Sequence, residues 1–108
     1  MVYLFVHSTY PISKAKDVGK KYLEVVKKYP PDRSLGKEVI QAAVRASPKG
    51  ISVIGVSEVK KGKYTEALIR IGKTMQMYAD IDGFNYSVVT RVNLVEAMGI
   101  IDMTPPET

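Results

Sequence analysis

The sequence predicts an α+β domain in which four strands form one antiparallel sheet and two helices cover one of its faces. Four segments are rich in β-branched and aromatic residues, which favour strands. Between the first and second of these, and again between the third and fourth, apolar residues recur at spacings of three and four, as in an amphipathic helix. The turn sequence SPKG joins the middle two segments directly, which is typical of a hairpin.

The first half of the chain predicts one strand and one helix. Residues 2–8, VYLFVHS, form the first strand. From Ser13, the expected N-cap, the period becomes helical. The apolar side of this helix carries Ala15, Val18, Tyr22, Val25, Val26 and Tyr29. The prolines of YPP then end the helix, because proline lacks an N–H and restricts the residue before it.

The second half predicts a hairpin, a helix and a last strand. Residues 37–47, KEVIQAAVRAS, and 51–60, ISVIGVSEVK, are the second and third strands. A second amphipathic helix follows and ends at Gly83. Residues 84–92, FNYSVVTRV, form the fourth strand, and Asn93 caps one short helical turn over LVEAMG. We expect one domain over residues 1–102 and a frayed tail over residues 103–108.

The resulting order, βαββαβ, is that of the ferredoxin-like split βαβ arrangement. Right-handed crossovers put both helices on one face of the sheet and give the strand order 4-1-3-2. The other face is left uncovered. Because side chains alternate along a strand, the sequence also predicts which residues occupy each face.

Side-chain alternation assigns faces in three of the strands. The residues expected to face the helices are Val2, Leu4, Val6, Ile40, Ala42, Val44, Phe84, Tyr86 and Val88. Those expected on the uncovered face are Tyr3, Phe5, His7, Gln41, Ala43, Arg45, Asn85, Ser87, Val89 and Arg91. Alternation does not assign faces to the residues of the third strand, because Gly55 can mark a bulge that interrupts the alternation. Its Ile54, Val56 and Glu58 join the uncovered face only if Ile51 and Val53 face the helices.

The uncovered face predicts self-association. An apolar patch there comprises Tyr3, Phe5, Ile54, Val56 and Val89, and a patch of that kind in the middle of a sheet normally marks an interaction site. The simplest cover for it is a second copy related by a two-fold axis. We therefore expect a homodimer with these five residues in its interface, and assembly beyond the dimer stays open.

The passages EVKKGKYTEAL, DIDGFNYSV and VNLVEAMG, with the order of elements, resemble the dimeric α/β-barrel superfamily of ferredoxin-like proteins. The resemblance implies two sheets packed face to face as a barrel. Members of that superfamily include cofactor-free monooxygenases, degradative enzymes, haem-binding proteins and regulatory ligand-binding modules. The resemblance therefore implies a fold but does not indicate a particular activity.

His7 is the only histidine and the first candidate for chemistry. Antiparallel pairing is expected to bring it near Arg45, Ser52 and Asn85, which makes these four residues the ligand-binding candidates. The favoured function is a small-ligand-binding or assembly module, since the barrel that the resemblance implies supplies an apolar cavity, whereas the sequence supplies no convergent acid, base and nucleophile.

The alternative function is a cofactor-free enzyme, monooxygenase- or isomerase-like, acting on a hydrophobic carbonyl or phenolic compound. In it His7 acts as general base or proton shuttle, Arg45 holds an oxyanion and Asn85 orients the substrate. At the other end of the sheet, Glu58 and Arg91 are expected to form an ion pair rather than to catalyse.

Several other classes are disfavoured. With one histidine and no cysteine we expect no metal and no cofactor, haem ligation by His7 being the one exception left open. The basic passage KKGK lacks a phosphate-loop pattern and is interpreted as a solvated connector. The third strand carries no stacking aromatic, so we expect no nucleic-acid partner despite the net charge of +5.

The apolar runs are too short to span a membrane, and the sequence does not begin as a signal peptide does. These features predict a cytoplasmic protein with no membrane partner. Two Asn, two Gln, no Cys and twelve Lys form a composition typical of thermophiles.

Overall fold

The computed structural model describes residues 1–106 and has an α+β fold with a four-stranded antiparallel sheet and three helices. In chain order the elements are β1 (Val2–Tyr10), α1 (Ala15–Lys28), β2 (Gly36–Ser47), β3 (Gly50–Val59), α2 (Tyr64–Gln76), β4 (Asn85–Val92) and α3 (Leu94–Ile100). A 3₁₀ turn over Ile12–Lys14 precedes α1.

The sheet order is β2-β3-β1-β4, which is 4-1-3-2 when counted from the β4 edge. Its central strand β1 pairs antiparallel with both β3 and β4. The hairpin predicted from SPKG joins β2 to β3, with Ser47 opposite Gly50. Gly50 has a φ of 126°, and a Cβ there would lie 2.7 Å from the Tyr10 carbonyl oxygen, which explains glycine at this turn.

Two clusters of buried side chains join the helices to one face of the sheet. Leu4 and Val59 pack with Ala67 of α2, and both strand residues are almost completely buried. The second cluster consists of Val18, Val25, Tyr78 and Ile81. Burying an aliphatic side chain of this size contributes about 1.5–3 kcal/mol, so these contacts fix the helices on one face of the sheet.

Of the two predicted helix N-caps, the one at Ser13 is wrong and the one at Asn93 is confirmed. Ser13 does not cap α1, because it lies inside the 3₁₀ turn and the N-cap position belongs to Lys14. Pro11 starts that turn with a φ of −64°, and its carbonyl accepts from the Lys14 N–H at 2.9 Å. Asn93 does cap α3, since its side chain accepts from the Glu96 N–H at 2.8 Å.

Strand β2 contains irregularities that overturn two predicted side-chain orientations. Its register against β3 shifts between Glu38 and Ile40 and again between Ile40 and Ala43. Ile40, predicted to face the helices, pairs with Val56 and so lies on the other face. Gln41, predicted on the uncovered face, donates from Nε2 to the Tyr22 hydroxyl of α1 at 2.6 Å. Each bulge inserts one residue and reverses the alternation beyond it.

The register of β3 resolves its open face assignment. Ile54, Val56 and Glu58 lie directly opposite His7, Phe5 and Tyr3 of β1, respectively. Directly opposed residues of an antiparallel pair point to the same side of the sheet. All six therefore share the face that the helices do not cover.

Helix α3 is tied to the start of the chain by its acidic side chain. The Met1 amino group lies 2.9 Å from Oε1 of Glu96. Large apolar side chains of α3 and the segment after it remain exposed: Leu94, Val95, Ile100, Ile101 and Met103. Of the predicted tail, residues 103–106 have no helix or strand, and residues 107–108 lie outside the described residues. Within residues 1–106, no helix combines the length and apolarity needed to cross a membrane.

Candidate functional site

The face of the sheet opposite the helices, here termed the open face, consists of four rows of side chains that cross all four strands. The charged row is Lys37, Glu58, Tyr3 and Arg91. The apolar row is Ile40, Val56, Phe5 and Val89. The histidine row is Ala43, Ile54, His7 and Ser87, and the polar row is Arg45, Ser52, Thr9 and Asn85.

The apolar row is the hydrophobic centre of the open face. Val56 lies between Phe5 and Ile40 and is only 6% exposed, whereas Ile40 at the sheet edge is 43% exposed. Neither buried cluster of the helix side includes a residue of this row. All five predicted interface residues lie on the open face. Ile40 also lies on the open face, although alternation along β2 predicts that it faces the helices.

The charged row does not contain the predicted ion pair. Glu58 and Arg91 flank Tyr3 on opposite sides, so two strand spacings, about 10 Å, separate their backbones. The Arg91 guanidinium instead lies 5.1 Å from the centre of the Phe5 ring, in cation–π geometry. Arg91 therefore extends toward the apolar row, and Glu58 forms no ion pair within residues 1–106.

His7 is half-buried, and its direct cross-strand neighbours are Ile54 and Ser87. Its ring stacks toward Phe5 at a centroid distance of 6.4 Å with an interplanar angle of 17°. One side of His7 is thus the apolar row. Because residues two apart on a strand share a face, the other side is the polar row, about 7 Å along the sheet.

The other predicted ligand-binding residues come together around Thr9. Ser52 pairs with both Arg45 and Thr9, and Asn85 pairs with Thr9 from the other side. They lie one row beyond His7 instead of beside it. The sequence pattern does not identify Thr9, because it predicts that the first strand ends at Ser8, whereas β1 continues to Tyr10. The pattern predicts the correct face for Ser87 but does not indicate that Ser87 is the direct neighbour of His7.

Two surface cavities lie away from these residues. One of about 510 Å³ separates α1 from α2, next to Tyr29 and Ile69. The other, of about 300 Å³, is lined by Met1, Arg33, Gly36, Lys37, Glu58 and Lys60. Neither is lined by His7, Arg45, Ser52 or Asn85. An open sheet face encloses a cavity only when a second surface covers it, so a pocket at His7 requires a partner.

The basic passage before α2 forms a tight turn. The Lys63 N–H donates to the Lys60 carbonyl at 3.0 Å, and Gly62 has a φ of 82°. The ammonium of Lys63, the residue at the N-cap position of α2, lies 3.6 Å from Oε1 of Glu66 in the first turn of that helix. In residues 1–106 no group of three or more His, Cys, Asp or Glu side chains has the arrangement of a metal site.

Comparison of the chain with protein-family models, curated proteins and solved structures gave no significant match. The resemblance to dimeric α/β-barrel proteins therefore rests on the pattern of elements alone.

Proposed function

We propose that this chain is a homodimeric small-ligand-binding or assembly module of the ferredoxin-like, dimeric α/β-barrel type. Two copies pack through their open faces, and the space between the sheets accepts a small apolar ligand. The observation that carries the proposal is the apolar row, which crosses all four strands on the face away from both helix-side clusters. Leaving such a row in water forgoes about 25 cal/mol for each Å² of apolar area that a partner would cover.

The size of the open face supports a partner as large as a second copy. Four strands spaced about 4.8 Å apart, each spanning about seven residues from the first row to the last, form a face of roughly 19 by 23 Å. Its flat area is about 440 Å², and the relief of the side chains increases the accessible area. Stable interfaces bury about 800 Å² on each partner. The flat open face corresponds to about half of that area, so side-chain relief and neighbouring surface must supply the rest.

Packing through the face is favoured over pairing through the sheet edge. The β2 edge carries two register irregularities and the charged residues Lys37, Glu38 and Arg45. Bulges and charges of this kind oppose the addition of a further strand. The other edge strand, β4, has only eight residues. Both edges of the sheet therefore resist extension, which favours the open face as the surface for packing.

The rows also supply the chemistry of a ligand site. His7 lies between the apolar row and the polar row of Arg45, Ser52, Thr9 and Asn85. A cavity with apolar walls and a few polar groups at one end suits a small apolar molecule that carries a carbonyl or hydroxyl group. The enzymatic alternative has less support, because Arg45 and Asn85 lie one row from the proposed base His7.

A matched pair of charge insertions tests the assembly. Phe5→Glu puts a carboxylate into the centre of the apolar row, whereas Ile69→Glu puts one on α2, at a side chain that is already 54% exposed. Sedimentation velocity is expected to find Phe5→Glu as a folded monomer and Ile69→Glu as a dimer. Dimers from both variants, with native circular dichroism, would contradict packing through the open face.

Ligand binding is tested by nuclear magnetic resonance with a small phenolic carbonyl compound, 4-hydroxybenzaldehyde. We expect saturable shifts at His7, Ser52 and Asn85 in the native protein and none in Phe5→Glu. Shifts confined to the groove beside Tyr29 and Ile69 would contradict a site between the sheets.

A further inference from the structure

The cavity where β2 begins has a lining dominated by positive charge. Its volume is about 300 Å³, and Arg33, Lys37, Lys60 and Glu58 supply the charged side chains. Three positive groups and one negative group leave two positive charges. The size is at the lower end of the range of small-molecule sites.

Backbone contacts bring these side chains together from three segments. Lys37 lies directly opposite Glu58 in the β2–β3 pair. The Lys60 N–H donates to the Leu35 carbonyl at 2.8 Å, which holds the segment before β2 against the end of β3. Arg33 lies on that segment. The sheet therefore brings the backbones of these residues together, and the side chains of Arg33, Lys37 and Lys60 are exposed to solvent.

Two acidic groups near the cavity, other than Glu58 in its lining, have partners of their own. The Asp32 carboxylate accepts from the Ser34 N–H at 3.0 Å and also from the Ser34 hydroxyl. Glu96 pairs with the Met1 amino group at 2.9 Å. Within residues 1–106, Arg33, Lys37 and Lys60 belong to no ion pair. The cavity thus keeps its excess positive charge, and the like charges repel one another until an anion enters.

We propose that this cavity binds a small oxyanion, with Arg33, Lys37 and Lys60 as its ligands. A guanidinium offers two parallel N–H donors to a phosphate or carboxylate group, and ammonium groups add charge-assisted hydrogen bonds. The excess of two positive charges matches a dianion, such as a phosphate monoester or a dicarboxylate. The site lies at the rim of the open face, where it includes Lys37 and Glu58 of the charged row, and it uses none of the residues proposed to bind the apolar ligand.

The test is a titration of ¹⁵N-labelled protein with inorganic phosphate and, separately, with succinate, at constant ionic strength. Saturable shifts at Gly36, Lys37 and Lys60 are expected with at least one anion. The anion that binds more tightly identifies the phosphate or the dicarboxylate class. Shifts that do not saturate, or that chloride reproduces, would overturn the proposal.

Neutral substitutions at matched positions assign the site. Lys37→Gln and Arg33→Gln are expected to weaken binding about tenfold each, as for the loss of one charge-assisted hydrogen bond. Lys49→Gln makes the same charge change at the opposite end of the β2–β3 hairpin and should leave the affinity unchanged. Equal weakening in all three variants would mean that only net charge matters and would refute the site.

The light-scattering mass of each variant separates this proposal from the dimer. A variant that has the same mass as the native protein but binds phosphate or succinate more weakly supports the site. This holds whether the native protein is a monomer or a dimer. Native affinity in Arg33→Gln and Lys37→Gln overturns the site and leaves the packing of the open faces untouched.

Discussion

Tyr78 is a core residue whose ionisation makes the stability of the protein depend on pH. It is 7% exposed, and its ring stacks on Phe84 at 4.6 Å within the cluster that includes Val18 and Val25. Burial, together with the neighbouring Tyr22 and Tyr10, raises the pKa of Tyr78 to about 12. In the unfolded chain this phenol ionises near pH 10. The stabilising contribution of the neutral phenol is therefore complete below pH 10 and is lost as the pH rises toward 12.

Tyr78→Phe is expected to remove this alkaline loss. Between pH 10 and 12 the native free energy of unfolding should fall more steeply than that of the variant, by at most about 1.4 kcal/mol per pH unit. Urea unfolding across this pH range measures the difference. Tyr86→Phe, at a tyrosine that is 44% exposed, is the control and should follow the native curve. Parallel curves for native protein and Tyr78→Phe would be inconsistent with a buried, neutral Tyr78.

Gly36 is a residue whose lack of a side chain is required by close packing. A Cβ at this position would overlap the Glu58 carbonyl oxygen where β2 and β3 begin to pair. Gly36→Ala is expected to cost about 2 kcal/mol or more in urea unfolding, because backbone on both strands must move. Gly19→Ala in α1 is the control, since no atom lies within 4 Å of its added Cβ. That change should stabilise by about 0.5–1 kcal/mol, and an equal effect of both substitutions would contradict the packing.

At the scale of elements, the sequence predicts strands and helices well where one local pattern decides them. Alternation in β1 and β4 assigns Phe5, His7 and Val89 to the correct face, since both strands are regular. It fails for Ile40 and Gln41, because the bulges of β2 arise from its pairing with β3, and no residue type in KEVIQAAVRAS marks them.

The sequence predicts the face on which the candidate site residues lie, but it does not predict their positions along the strands relative to His7. The site residues lie on the expected face, yet the first strand runs two residues further than its local sequence indicates. The pairing of Tyr10 with Ile51 extends the strand through residues that resemble a turn. Tertiary pairing thus overrides local preference at the strand end and moves the polar row one step away from His7.

Helix α3 depends on its cap. It has seven residues, too few for stability without support, and Asn93 provides its side-chain N-cap. Asn93→Ala is expected to cost about 1 kcal/mol of local stability and to speed amide exchange at Ala97 and Ile101. Asn93→Ser keeps an accepting oxygen and should exchange at nearly the native rate. Unchanged exchange in Asn93→Ala would show that the cap does not hold the helix.

For the whole molecule, the two faces of the sheet have different surroundings. One face is covered by α1 and α2 through the two buried clusters. The open face presents the apolar row, and α3 adds exposed Leu94 and Val95 near the start of β1. A second copy would cover apolar surface of this kind on both chains at once, because a two-fold axis brings the same surface to each partner.

The mass of the native protein in solution tests most directly whether two copies pack through their open faces. Light scattering at micromolar concentration is expected to give about 24 kDa, twice the 12.0 kDa of one chain. A mass of about 12 kDa that persists at tens of micromolar protein would contradict the packing of the open faces and remove the basis for a ligand site between them.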